Sequence, residues 1–120
     1  MSHARNMLIN QTLLELGVRP SMKGYTYLAY AVREVSKDTT KLDRIINGLY
    51  AEIAAEYDTT AGCVERCIRH GIQAGFTTAP LSVIYKVFKN TLPVDGSAPT
   101  AKQYIATVAD YLNTIINEET

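Results

Sequence analysis

The 120-residue chain has no tryptophan, only two cysteines and no long apolar run. Two cysteines four residues apart cannot form the disulfide framework of a small secreted protein, and in a reducing compartment they are expected to stay thiols. A span across a bilayer needs about 20 apolar residues, and the N-terminal segment lacks the basic-then-apolar order of a secretory signal. We therefore expect a cytoplasmic protein without a membrane segment.

An excess of charge of either sign is also missing, because 12 Lys and Arg residues balance 12 Asp and Glu residues. The overall field of a neutral protein does not attract a polyanion, so any nucleic-acid binding must come from a local patch. The length is that of one ordinary domain, and the apolar content of 47% is enough for one hydrophobic core. The sequence predicts a single domain over residues 1–120.

Apolar residues recur at three- and four-residue intervals along most of the chain, which is typical of helices packed on a core. These stripes cover residues 4–16, 23–37, 40–49, 51–57, 60–75 and 100–116. Gly17, the turn "DTT" and the loop "NTLPVDGSAP" over residues 90–99 separate the stripes, and a bend is expected near Gly48 to Ala51. Thr39 or Thr40 is expected to cap the third stripe, and Thr100 and Gln103 are expected to form a capping box for the last one. A short segment over 81–89 would lack a partner as a β-strand. The pattern predicts an all-α fold of about six helices.

The segment "DTTAGCVERCIRHG", residues 58–71, carries the most reactive side chains. At 100° per residue, its apolar residues share one side of a helix. The opposite side and flanks carry Gly62, Cys63, Glu65, Arg66, Cys67, Arg69, His70 and Gln73. This outer face is open to three interpretations: a metal site, a thiol enzyme or a nucleic-acid interface.

The metal and enzyme hypotheses each lack a part. Cys63, Cys67 and His70 share a flank and suit zinc, but a structural zinc site needs four ligands, and the one other histidine is His3. A cysteine nucleophile activated by His70 would need an orienting third group, which is not visible. We therefore expect no metal, no cofactor and no enzymatic activity.

The nucleic-acid hypothesis accounts for more of the outer face. A helix of about four turns can enter a major groove, where arginine contacts guanine, glutamate accepts from cytosine, and threonines at the helix start bind phosphate. The preceding helix, 51–57, is joined to it by a short turn, as in a helix-turn-helix over residues 51–75. A solvated charged face would show the same pattern, so spacing alone leaves both interpretations open.

The stretches "LGVRPSMKGYTYLAYAV" and "LYAEIAAEYDTTAGCVERCIRHGI" carry more than spacing. Together with "VERxIRHxI" directly after "TTA", they resemble the C-terminal DNA-binding domain of the sporulation master response regulators, the stage zero sporulation protein A family. The resemblance implies binding to double-stranded promoter DNA at the nucleoid, as a homodimer on DNA, with contact to the RNA polymerase sigma factor. It implies base reading by Gly62, Cys63, Glu65 and Arg66, and backbone positioning by Thr59, Thr60, Arg69, His70 and Gln73.

Two departures from this family bear on function, the residue at position 63 and the receiver domain, and a third affects only the bend before α-helical residues 51–57. Cys63 stands where the family usually has arginine, and Ala51 where it often has proline. Cysteine cannot make a bidentate contact to guanine, a contact that contributes about 1–3 kcal/mol of discrimination. The family's N-terminal receiver domain is not expected within these 120 residues.

The alternative hypothesis is a protein-interaction paralogue with weakened DNA binding that pairs with an intact regulator or with RNA polymerase.

Overall fold

The computed structural model describes residues 2–93 and 97–119 and builds them into six α-helices. These are α1 (Ser2–Glu15), α2 (Lys23–Lys37), α3 (Ala51–Glu56), α4 (Ala61–Thr78), α5 (Leu81–Phe88) and α6 (Ala101–Glu119). No strand occurs in the described ranges, so the all-α prediction is confirmed and segment 81–89 is helical. Of the predicted loop over 90–99, residues 94–96 lie outside the described residues. None of the described helices is long and apolar enough to cross a membrane.

The helix ends follow the local sequence closely. Gly17 has a φ of 83° and ends α1, with the Val18 amide donating to the Leu13 carbonyl oxygen at 3.0 Å, which is the hydrogen bond of a Schellman motif. At the start of α6, the Gln103 amide donates to the Thr100 hydroxyl and the Thr100 amide donates to the Gln103 side chain, each at 3.2 Å. Both predicted boundaries, a glycine end and a capping box, are therefore present.

The segment between α2 and α3 differs from the α-helix predicted over 40–49. It forms a 3₁₀ segment, Thr39–Arg44, followed by a π-helical segment, Ile45–Tyr50. The residue that caps it is Asp38, whose carboxylate accepts from the Thr40 amide at 3.1 Å, and not Thr39 or Thr40. The backbone leaves helical geometry at Arg44 and is helical at Tyr50, so the main irregularity precedes the bend expected near Gly48.

The core surrounds α2, which packs against α1, α4 and α6. Leu28, Ala31, Val32 and Val35 of α2 are fully buried, as the spacing in 23–37 predicts. At one end of α2, Arg5 of α1 donates to the side chains of Ser36 and Asn113, each at 3.0 Å, which joins α1, α2 and α6. The other end of α2 lies beside the start of α4 and therefore positions the candidate site.

Tyr104 of α6 is buried between aromatic rings. Its ring centroid lies 5.4 Å from that of Phe88 and 6.2 Å from that of Phe76. Its hydroxyl has no hydrogen-bond partner among the described residues, and burial raises the pKa of Tyr104. A buried hydroxyl without a partner costs about 1–3 kcal/mol of desolvation, so this group destabilises the core.

The substitution Tyr104→Phe is therefore expected to stabilise the protein by about 1 kcal/mol, measured as a higher urea midpoint at unchanged slope. The matched control is Tyr30→Phe, which removes a hydroxyl that donates to Glu52 at 3.1 Å. That change is expected to lower stability by about 0.5–1.5 kcal/mol. A loss of stability in both variants would show that the Tyr104 hydroxyl has a partner after all.

Candidate nucleic-acid interface

The turn between α3 and α4 is short and defined by hydrogen bonds. Asp58 adopts the left-handed conformation with a φ of 54°, and the Thr59 amide donates to the Ala54 carbonyl oxygen at 2.9 Å. This is again the hydrogen bond of a Schellman motif, here with aspartate at the position that glycine usually occupies. Thr60 then caps the N-terminus of α4, since its hydroxyl accepts from the Cys63 amide at 3.1 Å. Residues 57–60 therefore set the angle between the two helices.

Aromatic packing fixes this turn against α2. The Tyr57 ring lies 5.6 Å from the Tyr27 ring and 6.3 Å from the Tyr30 ring, measured between centroids. Both pairs are tilted or edge-on, the arrangement that aromatic rings prefer. Tyr27 and Tyr30 of α2 therefore pack against Tyr57 of the turn and fix the position of the start of α4.

An ion-pair cluster holds α3 against α2. Lys41 of the 3₁₀ segment contacts Glu34 of α2 at 2.9 Å and Glu52 of α3 at 3.1 Å. The hydrogen bonds that Lys41 donates to Glu34 and then to Glu52 raise the pKa of Lys41. Burial by itself raises the pKa of Glu34, but the hydrogen bond and charge of Lys41 outweigh it and the pKa is lowered. The lysine thus joins the two helices that carry the turn.

The outer face of α4 presents most of the predicted site residues to solvent. Val64, Ile68 and Ile72 are buried on the opposite side, as the helical spacing predicts. Five predicted site residues of α4 are exposed, namely Gly62, Arg66, Arg69, His70 and Gln73. Two more, Cys63 and Glu65, are half-buried. The structure therefore brings the predicted residues onto one continuous surface, with Thr59 and Thr60 at its start.

The two arginines on this surface differ in whether a neighbouring carboxylate compensates their positive charge. Arg69 contacts Glu65 at 3.2 Å, one helical turn earlier, and both side chains are about half exposed. The i,i+4 spacing of Glu65 and Arg69 is a signal for this pair that the sequence interpretation did not use. Arg66 forms no ion pair within residues 2–93 and 97–119. The positive charge of Arg66 is therefore less compensated than that of Arg69.

An open cleft of about 420 Å³ borders one side of α4. Glu65, Arg69 and Gln73 line it from α4, and the start of α6 lines it with Thr100 and Lys102. On the other side of α4, Lys23 of α2 lies with Thr59 around a smaller pocket of about 280 Å³. Lys23 and Lys102 are both exposed and extend the basic surface, and sequence reasoning missed them.

The two thiols of α4 lie together. The Sγ atoms of Cys63 and Cys67 are 4.0 Å apart, and both residues are half-buried. A hydrogen bond from the Thr59 side chain, and then one from Cys67, lowers the pKa of Cys63, while burial raises the pKa of Cys67. No group of three or more His, Cys, Asp and Glu side chains in the described part of the chain could hold a metal. Among the described residues, His70 does not complete a site with the thiols.

Residues 9–112 match the protein-family model described as sporulation initiation factor Spo0A C terminal. The chain belongs to this family. The match extends from Ile9 in α1 to Leu112 in α6 and includes the turn and all of α4. It confirms the resemblance inferred from the sequence.

The Spo0A C-terminal family consists of DNA-binding effector domains of sporulation initiation and is not an enzyme family. Membership therefore accounts for an exposed basic helix face in a chain whose net charge is zero. It does not account for the half-buried thiol pair, which lies on the same helix.

Proposed function

We propose that the protein is a sequence-specific DNA-binding regulator of the sporulation-initiation type, with α3, residues 57–60 and α4 as its helix-turn-helix. In this proposal α4 enters the major groove of promoter DNA with its first two turns against the base edges. The observation that carries it is the exposed Arg66 on the outer face of α4, without an ion pair in the described ranges, in a chain of a DNA-binding family. A guanidinium in that position can donate both hydrogen bonds of a guanine contact.

Base reading is assigned to Gly62, Cys63, Glu65 and Arg66. Glu65 is the acceptor for a cytosine amino group, and Arg66 is the donor for guanine. Gly62 allows close approach because it has no side chain, and the Cys63 thiol cannot replace the two donors of an arginine. We therefore expect a binding site read by fewer strong contacts than the family usually makes.

Backbone positioning is assigned to Thr59, Thr60, Arg69, His70 and Gln73. The hydroxyls of the turn and the exposed donors along α4 suit phosphate oxygens, which fix the helix without reading sequence. In the free protein Arg69 is paired with Glu65, so binding of Arg69 to a phosphate would replace this ion pair with a phosphate contact. Lys23 and Lys102 are proposed as further phosphate contacts on the two flanks, because each is exposed beside α4.

The wider partners follow from the resemblance and stay proposals. A pair of copies bound to one promoter, contact with the sigma factor of RNA polymerase and a location at the nucleoid are expected of a regulator of this type. The neutral net charge means that a single copy has little long-range attraction for DNA. Pairing of two copies on DNA would supply the second set of contacts.

The test is a selection of bound sequences from a random DNA pool, followed by affinity measurements on the selected duplex and a scrambled one over a range of salt. We expect the selected duplex to bind at least roughly 30-fold more tightly, because two base contacts of about 1 kcal/mol each give that ratio. Equal affinity for both duplexes would reduce the proposal to nonspecific binding, and no binding at low salt would reject it.

A second candidate is the protein-interaction paralogue, which is favoured by Cys63 and by the zero net charge. In that case the domain would keep the fold but bind an intact regulator or RNA polymerase in place of DNA. The absence of duplex binding together with capture of either named partner, supplied as a purified protein, would establish it.

The substitution Gly62→Ala separates stability from binding. A methyl group at Gly62 would have the Arg66 guanidinium at 3.6 Å as its nearest neighbour, which is an ordinary contact. Alanine in a helix is about 0.5–1 kcal/mol more favourable than glycine, so the melting temperature should rise. The same methyl group lies on the surface proposed to meet the bases, so duplex affinity should fall. A variant that melts higher and binds equally well would remove Gly62 from the interface.

A further inference from the structure

In the proposed DNA contacts the Cys63 thiol cannot replace the two donors of an arginine, and Cys67 has no role. Cys63 and Cys67 are the chain's only cysteines, lie one helical turn apart and place their sulfur atoms 4.0 Å from each other. Both are half-buried, so a small ion can reach them from solvent. Two thiols on one face of a rigid helix are positioned in advance for a shared ligand.

We propose that Cys63 and Cys67 form a two-thiolate site for a monovalent soft cation, cuprous copper. Thiolates favour Cu(I) and zinc among biological metals. Two sulfur ligands of a tetrahedral zinc lie about 3.8 Å apart, so distance alone would allow zinc. Ligand number decides against it, because a zinc site has at least three protein ligands and no third His, Cys, Asp or Glu among the described residues is grouped with the two thiols. Cu(I) completes its coordination with two thiolates.

The surroundings compensate for the charge of such a complex. Binding releases two protons, one from each thiol, and leaves two thiolates and one monovalent cation with a net charge of −1. Lys23 directly precedes Gly24, which packs against the backbone of Cys67, and Arg66 is the neighbour of Cys67 in α4, so both place positive charge near the thiols. An anionic copper complex is therefore stabilised at this position, and no oxidation or reduction is involved.

The site lies on the first two turns of α4, so occupancy has a consequence for DNA. Relative to two protonated thiols, the loaded site carries one additional negative charge beside Arg66. This reduces the attraction of the helix for phosphate and for the acceptor atoms of guanine. Copper loading should weaken duplex binding, a consequence that rests on the proposed function, whereas the metal site itself does not.

The site is tested without DNA by titrating the reduced, oxygen-free chain with Cu(I) in competition with a chromophoric Cu(I) chelator. We expect one Cu(I) per chain and a monomeric complex. Loss of even an outer-shell partner costs about 10- to 100-fold in metal affinity, so Cys63→Ser and Cys67→Ser should each bind at least about 100-fold more weakly. Zn(II), titrated in the same way with a zinc chelator, should bind too weakly to compete.

A matched control keeps two thiols but separates them. The double variant Cys67→Ser with Glu65→Cys places the second thiol two residues from Cys63, where side chains do not face each other on a helix. It should bind as weakly as the single variants, with unchanged far-UV circular dichroism. Equal affinity in this variant, copper bound only between two chains, or tight Zn(II) binding would each overturn the proposal.

Discussion

Replacing Gly24 by alanine is expected to destabilise the fold by about 2 kcal/mol and to lower the melting temperature by roughly 5–10 °C. Gly24 lies near the start of α2, and a methyl group there would overlap the carbonyl oxygen of Cys67 in α4. That oxygen is backbone and cannot rotate away, so α2 and α4 must separate. Overpacking of this kind costs up to about 3 kcal/mol of folding free energy. The higher helix propensity of alanine offsets about 1 kcal/mol of that cost.

Gly71 provides the matched control, because it faces Gly24 across the same helix crossing. A methyl group at Gly71 would meet its nearest neighbours, Gly24 and Leu28, at 3.6 Å, which is an ordinary van der Waals distance. Gly71→Ala should therefore be neutral or stabilising by up to about 1 kcal/mol. Urea unfolding of both variants measures the difference. If the two changes had equal effects, the close approach of α2 to the Cys67 carbonyl would not limit the packing.

The contrast between these glycines shows where sequence reasoning stops. The bounds of α2, the glycine end of α1 and the capping box of α6 were predictable, because each depends on residues within a few positions of one another. The space at Gly24 depends on a carbonyl more than 40 positions away. Nothing in the local pattern distinguishes Gly24 from Gly71, although they are expected to respond oppositely to the same substitution.

The segment 39–50 illustrates the same limit. Its apolar spacing fits an α-helix, yet the structure forms a 3₁₀ and then a π-helical segment. Lys41 joins Glu34 to Glu52 from this segment, and these tertiary ion pairs accompany a geometry that propensity does not favour. The same limit applies to the candidate interface. Helical spacing predicts which residues lie on the outer face of α4, whereas Lys23 and Lys102 lie beside that face because of how α2 and α6 pack.

The second large effect is expected at Arg66. Arg66→Ala should weaken binding to the selected duplex by roughly 5- to 150-fold, corresponding to the 1–3 kcal/mol of a bidentate guanine contact. Binding to a scrambled duplex should change much less, because only one charge is removed. Arg66 has the exposed guanidinium of α4 that forms no ion pair in the described part of the chain, so its donors are available to a base without breaking an existing contact.

Arg69 should respond differently because it acts through phosphate. Arg69→Ala is expected to weaken both duplexes alike and to reduce the slope of log affinity against log salt by about 1. The loss also leaves Glu65 without the partner that it contacts at 3.2 Å, which adds a negative charge at the interface and strengthens the uniform loss. Lys86→Ala removes the same charge on α5, where Lys86 pairs with Glu15, and should leave both affinities and the slope near wild type.

These three measurements separate base reading from simple charge. A patch that binds DNA only through its net charge would respond equally to Arg66→Ala and Arg69→Ala on every duplex, because each change removes one positive charge. The proposed division of roles requires the ratio of affinities for selected and scrambled DNA to fall in Arg66→Ala and to stay constant in Arg69→Ala. The reverse pattern would place the base contact at Arg69, next to the cleft with Thr100 and Lys102, and would require α4 to lie in the groove rotated toward α6.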